Sequence, residues 1–125
     1  MAEQLVIRVT AMPTDLNPYG GVFGGWLMSQ LALGAGSLAS RVGKGKAVVV
    51  HATDFTFPGA MAVGDELSVY AEIVGTGRTS LTIFARGEGR ERNSETVIDV
   101  ARGQFKFVLL DKNERPRTVE RAADG

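Results

Sequence analysis

The sequence predicts an α+β fold in which one antiparallel sheet of five to six strands wraps around one long central helix. Only one stretch, residues 23–42, has helical periodicity, and strand-like stretches precede and follow it. Short connections between the successive strands favour antiparallel neighbours. A doubly wound parallel sheet needs helices on both faces, so a single helix argues against it.

The first strand is expected over residues 4–12, where Leu5, Ile7 and Val9 fall on one side. Pro13 ends this strand, because proline cannot donate to the hydrogen-bond ladder of a sheet. Residues 15–21 contain Asp, Asn, Pro and Gly, which are typical of a loop.

The helix over residues 23–42 is expected to be largely enclosed. Apolar residues cover about two thirds of its circumference, whereas a surface helix has a narrower apolar stripe. Gly34 and Gly36 allow neighbouring backbone to approach closely, and the Gly-Lys-Gly of residues 43–45 ends the helix. The polar residues fall within an arc of roughly 120°, and they are Ser29, Gln30, Ser37, Ser40 and Arg41.

Further strands are expected over residues 47–57, 66–74, 79–86 and 96–110, with a polar connection over residues 88–95. Strict alternation in the first of these puts His51 on one face and Asp54 on the other, together with Val48, Val50, Ala52 and Thr56. A sheet of this size leaves open edges. We therefore expect a dimer that continues the sheet across subunits.

Composition excludes several classes of function. The 125 residues are expected to form one domain, residues 1–125, with a flexible tail after about residue 119. The 14 basic and 14 acidic residues give no net charge, which argues against nucleic-acid binding and against binding to anionic membranes. The absence of cysteine and the single histidine argue against a metal site. With no signal peptide and no stretch long enough to insert into a membrane, a cytoplasmic protein is expected.

Three segments together resemble a known family: "AMPTDLNPYGGVFGGWLMSQLALGAG", "VGDELSVYAEIVGTGRTSLTI" and "FKFVLLDKNERPRTV". They are similar to the hotdog-fold acyl-CoA thioesterases, in particular the YciA-like group, from about Thr10 to Val119. The Phe-Gly-Gly-Trp of residues 23–26 is the most specific piece. The resemblance implies a hotdog fold, a dimer or a larger assembly such as a tetramer or hexamer, and active sites between subunits. It also implies hydrolysis of acyl-CoA or another acyl thioester, with coenzyme A as part of the substrate and no separate cofactor.

The start of the helix is the candidate oxyanion site. The first N–H groups of a helix are unpaired, and they lie at the positive end of its dipole. The resemblance assigns the N–H groups of Gly24 and Gly25 to the thioester oxygen, and it places Phe23 against the substrate. From composition alone, the same glycines indicate a tight turn packed against the sheet.

The acidic residues of the family are missing. One usually lies two positions before the Phe-Gly-Gly, where this chain has Gly21, and the other lies in the helix, where this chain has Ala32. Asp54 and Asn17 are the candidates to activate or orient a water in their place, and Gln30 is a weaker one. The alternatives are that Asp54 caps a backbone group or pairs across a dimer, and that Asn17 is an ordinary turn residue.

Gly77, Arg78, Thr79 and Ser80 are the candidate contacts for coenzyme A, because the resemblance places the coenzyme near this strand. An arginine with hydroxyl groups suits phosphate and amide contacts, although a polar hairpin turn would have the same composition. The expected function is hydrolysis of an acyl-CoA thioester. The alternative is a hotdog protein that binds acyl-CoA without fast hydrolysis, and a hydratase ranks last because no histidine is near the helix entrance.

Overall fold

The computed structural model describes residues 2–119, and the expected flexible tail lies outside them. Within these residues one long helix packs on a five-stranded sheet of order β1-β3-β4-β5-β2, in which all neighbours are antiparallel. The predicted architecture is confirmed. The elements are β1 (Gln4–Thr10), a short 3-10 helix (Pro13–Asp15), α1 (Gly24–Gly43), β2 (Ala47–Thr56), β3 (Glu66–Thr76), β4 (Ser80–Arg90) and β5 (Val97–Leu109).

The helix α1 buries most of the apolar face that its periodicity predicts, but Met28 and Leu33 remain exposed in the single chain. Leu27, Leu31 and Leu38 are almost fully buried in the core, and the predicted polar arc is exposed or half-buried. The helix ends at Gly43, and the next residue, Lys44, adopts a left-handed φ of 56°. No helix within residues 2–119 combines the length and the apolar character that crossing a bilayer requires.

Gly34 brings α1 close to the sheet. A Cβ at this position would lie 2.6 Å from Val6 Cγ2 on β1 and 3.2 Å from Val69 Cγ1 on β3. Gly36 has more room, because the nearest atom to its Cβ position is Phe107 Cε1 at 3.5 Å. The two glycines therefore differ: only Gly34 is needed for close packing.

Strand β4 is longer than predicted. It continues through residues 88–90, where the sequence predicted a polar connection. Gly87 and Gly89 take the inward positions at this end, and both are buried. Met61 packs over Gly89. Glycine has no apolar side chain, so the alternation of apolar and polar residues in the sequence ends before the last two inward positions of β4.

The strict alternation predicted for β2 is wrong, because its register against β5 shifts twice. Ala52 pairs with Phe105, a buried residue, and directly opposed residues share a face of the sheet. Phe55 reaches the same face, since its ring lies 5.2 Å from that of Phe105 and covers Gly103. Residues on one face of a regular strand are an even number of positions apart, whereas Ala52 and Phe55 are three apart. The strand therefore contains one extra residue between them, which is a β-bulge.

Asp54 lies in this bulge. Its φ of 59° is in the left-handed region, which aspartate tolerates better than most residues. Its side chain is exposed, as are Val50 and Ala52, with which strict alternation would place it on one face. His51 is also exposed, and it pairs with Lys106 on the outer face of the sheet. In the single chain, Asp54 is therefore a solvent-facing carboxylate on an open edge strand.

Arg86 connects the chain start to the outer face of the sheet. Its Nε and Nη2 donate to the carboxylate of Glu3 at 2.7 and 2.9 Å, and its Nη1 donates to Glu88 at 2.7 Å. Its guanidinium also lies 4.6 Å from the centre of the Tyr70 ring. The hydrogen bond from Arg86 lowers the pKa of Glu3, and the same hydrogen bond raises the pKa of Arg86.

Alanine at the two helix glycines should have opposite effects on stability. Gly34→Ala forces Val6 to move, and overpacking of this kind costs about 1–3 kcal/mol, more than the gain of up to about 1 kcal/mol in helix propensity. Gly36→Ala keeps the propensity gain without the clash. Urea unfolding of both variants checks this. Equal midpoints for the two variants would mean that close packing at Gly34 is not required.

The Glu3–Arg86 pair predicts a pH-dependent stability. Because the pKa of Glu3 is lowered from 4.5 in the folded chain, its carboxylate stabilises the fold fully above that value and less as the pH falls through the lowered pKa. The melting temperature of the natural chain should exceed that of Glu3→Gln at neutral pH, and the gap should close in acid. Glu95→Gln, at an exposed loop residue, is the control. A gap that is the same at every pH would rule out this ion pair as its source.

Candidate active site

Backbone hydrogen bonds fix the segment that leads into α1. The N–H of Phe23 donates to the carbonyl of Asp15 at 2.8 Å, and Leu16 and Val22 form an isolated antiparallel bridge. The N–H of Val22 also donates to the carbonyl of Met61 at 3.1 Å. The first turn of the helix is therefore held from both sides.

Asn17 organises the loop between these paired residues. Its side-chain oxygen accepts the N–H groups of Tyr19 at 2.7 Å and of Gly21 at 3.3 Å. Its Nδ2 lies 3.6 Å from the position that a Cβ on Gly21 would occupy. Asn17 is thus a loop-forming residue, as the turn interpretation predicts, while its Nδ2 lies beside one of the two positions where the family has an acid.

The two N–H groups predicted to bind the oxyanion are the unpaired ones. Those of Trp26 and Leu27 donate to the carbonyl of Phe23 at 3.0 and 3.2 Å. Those of Gly24 and Gly25 have no acceptor within residues 2–119. The first turn also contains no acidic side chain, so nothing there offsets the positive end of the helix dipole.

Two phenyl rings flank these N–H groups. Phe57 Cε1 lies 3.8 Å from the position of a Cβ on Gly24, and the ring of Phe23 lies against Gly25. The rings are 45% and 53% exposed, respectively, which leaves apolar surface available to a ligand. A polar pair of donors between half-exposed aromatic rings suits a carbonyl group that carries an apolar chain.

A cavity of about 320 Å³ opens beside the Phe23 ring. Asp15 supplies the only carboxylate of its lining, and its Oδ2 accepts the N–H of Met12 at 2.8 Å. The sequence leaves open that Asp15 points towards the glycine loop, but it favours an ordinary turn residue. Its place in the cavity depends on how the 3-10 helix folds against α1, which no local pattern reports. The lining residues are Thr14, Asp15, Leu16, Phe23, Gly25, Trp26 and Ser29.

Gln30 does not line this cavity. It lies about 140° around the helix axis from Gly25, at about 100° per residue, so the two face different sides. Ala32 is half-buried and packs against the core. The structure therefore joins Gly24, Gly25 and Phe23 in one place and leaves Gln30 outside it.

The candidate coenzyme A contacts lie at the end of the fold opposite the start of α1. The turn at Gly77 is closed by its N–H, which donates to the carbonyl of Ser80 at 2.9 Å. The carbonyl of Thr79 accepts the N–H of Leu109 at 2.9 Å, and Leu109 packs against Gly43 at the end of α1. A helix of 20 residues is about 30 Å long. Within one chain, Arg78 and its neighbours are therefore about that far from Gly24.

Comparisons with known proteins agree with the fold. A family model described as the thioesterase superfamily matches residues 19–94. An uncharacterised acyl-CoA thioester hydrolase of Zymomonas mobilis is 44% identical over 94% of this chain and 79% of its own. The chain belongs to the thioesterase superfamily.

Two further thioesterases are similar to this chain over most of its length. The acyl-CoA thioester hydrolase YciA of Escherichia coli is 37% identical over 92% of this chain and 89% of its own. The crystal structure of the hexameric thioesterase y2039 from Yersinia pestis matches with a TM-score of 0.89 and 35% identity, over 94% of this chain and 95% of that one. The predicted resemblance to YciA-like thioesterases and the predicted hotdog fold are confirmed.

Proposed function

We propose that the protein hydrolyses acyl-CoA thioesters, releasing free coenzyme A and a carboxylic acid. The observation that carries this proposal is the start of α1, where the unpaired N–H groups of Gly24 and Gly25 lie between two half-exposed phenyl rings. Membership in the thioesterase superfamily and the likeness to acyl-CoA thioester hydrolases support it.

The thioester carbonyl binds at the helix start. Its oxygen accepts hydrogen bonds from Gly24 and Gly25, and the acyl chain packs on Phe23 and Phe57. Negative charge develops on that oxygen as water attacks the carbonyl carbon, so donors fixed there stabilise the transition state more than the ground state. The C–S bond then breaks, the thiolate of coenzyme A leaves, and it takes up a proton.

The attacking water needs a group that accepts its proton. Gly21 and Ala32 cannot do so, and we propose Asp54 as the replacement base, with Nδ2 of Asn17 orienting the water. Asp54 is exposed and sits at positive φ in a bulge of an edge strand; strained positions of this kind cluster at functional sites. Phe57, three residues later, contacts Gly24, so this end of β2 lies beside the helix start.

The site requires two subunits. Coenzyme A bound at Arg78 of one chain cannot place its thioester at Gly24 of the same chain, because the two lie about 30 Å apart. The open edge of β2 can pair antiparallel with its copy about a two-fold axis, which sets the two helices in opposite directions. The helix start of one subunit then lies at the same end as the hairpin of its partner. A hexamer such as that of y2039 can be built from three such dimers.

A second candidate function is binding of acyl-CoA without fast hydrolysis, and the small residues Gly21 and Ala32 favour it. Release of free thiol from a panel of acyl-CoAs, together with equilibrium binding of the same compounds, separates the two functions. Turnover well above the uncatalysed rate on at least one chain length supports the hydrolase. Tight binding with no turnover across the panel supports the binding protein.

Gly24→Pro tests the oxyanion site without removing the helix. Proline is favoured at the first helical position, and Phe23 before it already has an extended conformation. The change deletes one N–H donor and should lower kcat by about 10²-fold or more. Gly24→Ala keeps the N–H, and its Cβ would meet Phe57 at an ordinary 3.8 Å, so it is the matched control. Equal kcat values for the two variants would remove Gly24 from the mechanism.

Asp54→Asn tests the proposed base. Asparagine tolerates the same left-handed backbone, so the variant removes the charge and keeps the bulge. Loss of a general base should lower kcat by about 10²-fold or more, with a smaller effect on binding of acyl-CoA. Asp15→Asn is the comparison, since Asp15 is the carboxylate of the neighbouring cavity. Normal turnover in Asp54→Asn with loss in Asp15→Asn would assign the base to Asp15 instead.

A further inference from the structure

An open cleft of about 900 Å³ lies at the end of the subunit where α1 finishes. We propose that this basic cleft binds the phosphate groups of coenzyme A. The inference rests on the proposed function and extends it, because it assigns new residues to the recognition of the substrate. The cleft is lined by Lys44, Gly45, Lys46, Leu110, Asp111, Lys112, Glu114 and Arg117.

Two of the cations in the cleft are available to a ligand. Lys46 is paired with Glu114, and the guanidinium of Arg117 donates to backbone carbonyls. Lys44 and Lys112 are exposed, and neither has an anionic or hydrogen-bonding partner in the part of the chain that the structure describes. Flexible ammonium groups on exposed side chains suit phosphate groups, which they bind as point charges.

Arg117 offsets the electrostatic repulsion that an anion would meet at the C-terminal end of α1. A helix C-terminus carries partial negative charge, which repels phosphate. Arg117 Nη2 donates to the carbonyl of Gly43 at 2.6 Å, and its Nε donates to that of Leu110 at 3.0 Å. The guanidinium of Arg117 therefore covers these two carbonyls and makes the floor of the cleft cationic.

The charge of the chain is concentrated at this end. Residues 44–46, 77–80 and 110–119 carry six cations and two carboxylates, a net charge of +4, although the whole chain has none. The other residues that the structure describes, up to residue 119, carry a net charge of −3. An anionic ligand is attracted to this end and repelled by the remainder, which favours one binding orientation. Coenzyme A carries a diphosphate and a 3′-phosphate, so it has the charge that such a surface would bind.

The basic cleft is continuous with the hairpin that carries Arg78. The N–H of Val119 donates to the carbonyl of Arg78, and the N–H of Arg117 donates to that of Leu109, each at 2.9 Å. Leu109 in turn donates to Thr79 at 2.9 Å. These bonds hold the hairpin and residues 109–119 as one surface, so Arg78 and Lys112 can contact different phosphates of the same molecule.

The test compares an acyl-CoA with the acyl-pantetheine that has the same acyl group and lacks every phosphate beyond the pantetheine arm. The ratio of kcat/KM for acyl-CoA to that for acyl-pantetheine should fall about tenfold in the double variant Lys44→Gln/Lys112→Gln. It should also become less sensitive to salt. Lys106→Gln, on the outer face of the sheet, is the matched control and should keep the natural ratio.

An unchanged ratio in the double variant would overturn the proposal, and so would an equal loss with both substrates. If the natural chain turns over neither substrate, the same comparison is made by calorimetric binding of coenzyme A and of pantetheine. Weaker binding of coenzyme A alone in the double variant then supports the cleft even though hydrolysis has failed. Competition by inorganic phosphate that matches coenzyme A in strength would instead show a general anion site and contradict the assignment.

Discussion

The close packing of α1 across the concave face of the sheet is the constraint on which the other features depend. Gly34 lets the helix backbone approach β1 and β3, and the helix then spans the sheet from the end of β2 to the end of β5. Its two ends are chemically different. The start presents unpaired N–H groups between aromatic rings, while the end is capped by Arg117 and surrounded by cations.

Under the proposed function, this separation means that one chain alone does not form a complete active site. We propose that the thioester carbonyl binds at the start of the helix and that the phosphate groups bind at the other end, about 30 Å away. A two-fold axis through the open edge of β2 would reverse one helix relative to the other and bring unlike ends together. The proposed dimer would then suit the chemistry of the substrate as well as pair the open edge of the sheet.

The sequence predicted the features that depend on local periodicity. The helix bounds agree within a residue, and in β4 the residues Leu81, Ile83 and Ala85 are buried on one face, as the alternation of that stretch predicts. Three features depend on pairing between strands and were missed. In β1 the register shifts between Leu5 and Ile7, so Leu5 does not share the face of Ile7 and Val9. The bulge at Asp54 appears only in the register of β2 against β5, and the end of β4 was lost because Gly87 and Gly89 replace apolar residues.

The candidate site also combines features that the local sequence predicts with features that depend on contacts between distant segments. Gly24 and Gly25 were predicted from the physics of a helix start together with a family resemblance, and their N–H groups are indeed unpaired. The basic cleft arises from segments distant in sequence, so no local motif marks it. The cavity beside Asp15 is formed by residues 14–29, but it depends on how the 3-10 helix folds against α1. The replacement of two family acids by Gly21 and Ala32 is visible in the sequence alone. Which residue takes over the role of these acids depends on how the helix and strands pack against each other and, in the proposed dimer, on how the subunits pack.

The central claim is that each active site combines two subunits, and mixed assemblies test it most directly. Gly24→Pro subunits, defective at the helix start, are refolded together with Arg78→Glu/Lys112→Glu subunits, defective at the coenzyme end. In a random mixture half of the dimers are hybrid, and each hybrid has one site with both parts intact, so hydrolysis should recover to about a quarter of the natural rate. Activity no higher than the mean of the two separate variants would contradict a shared site.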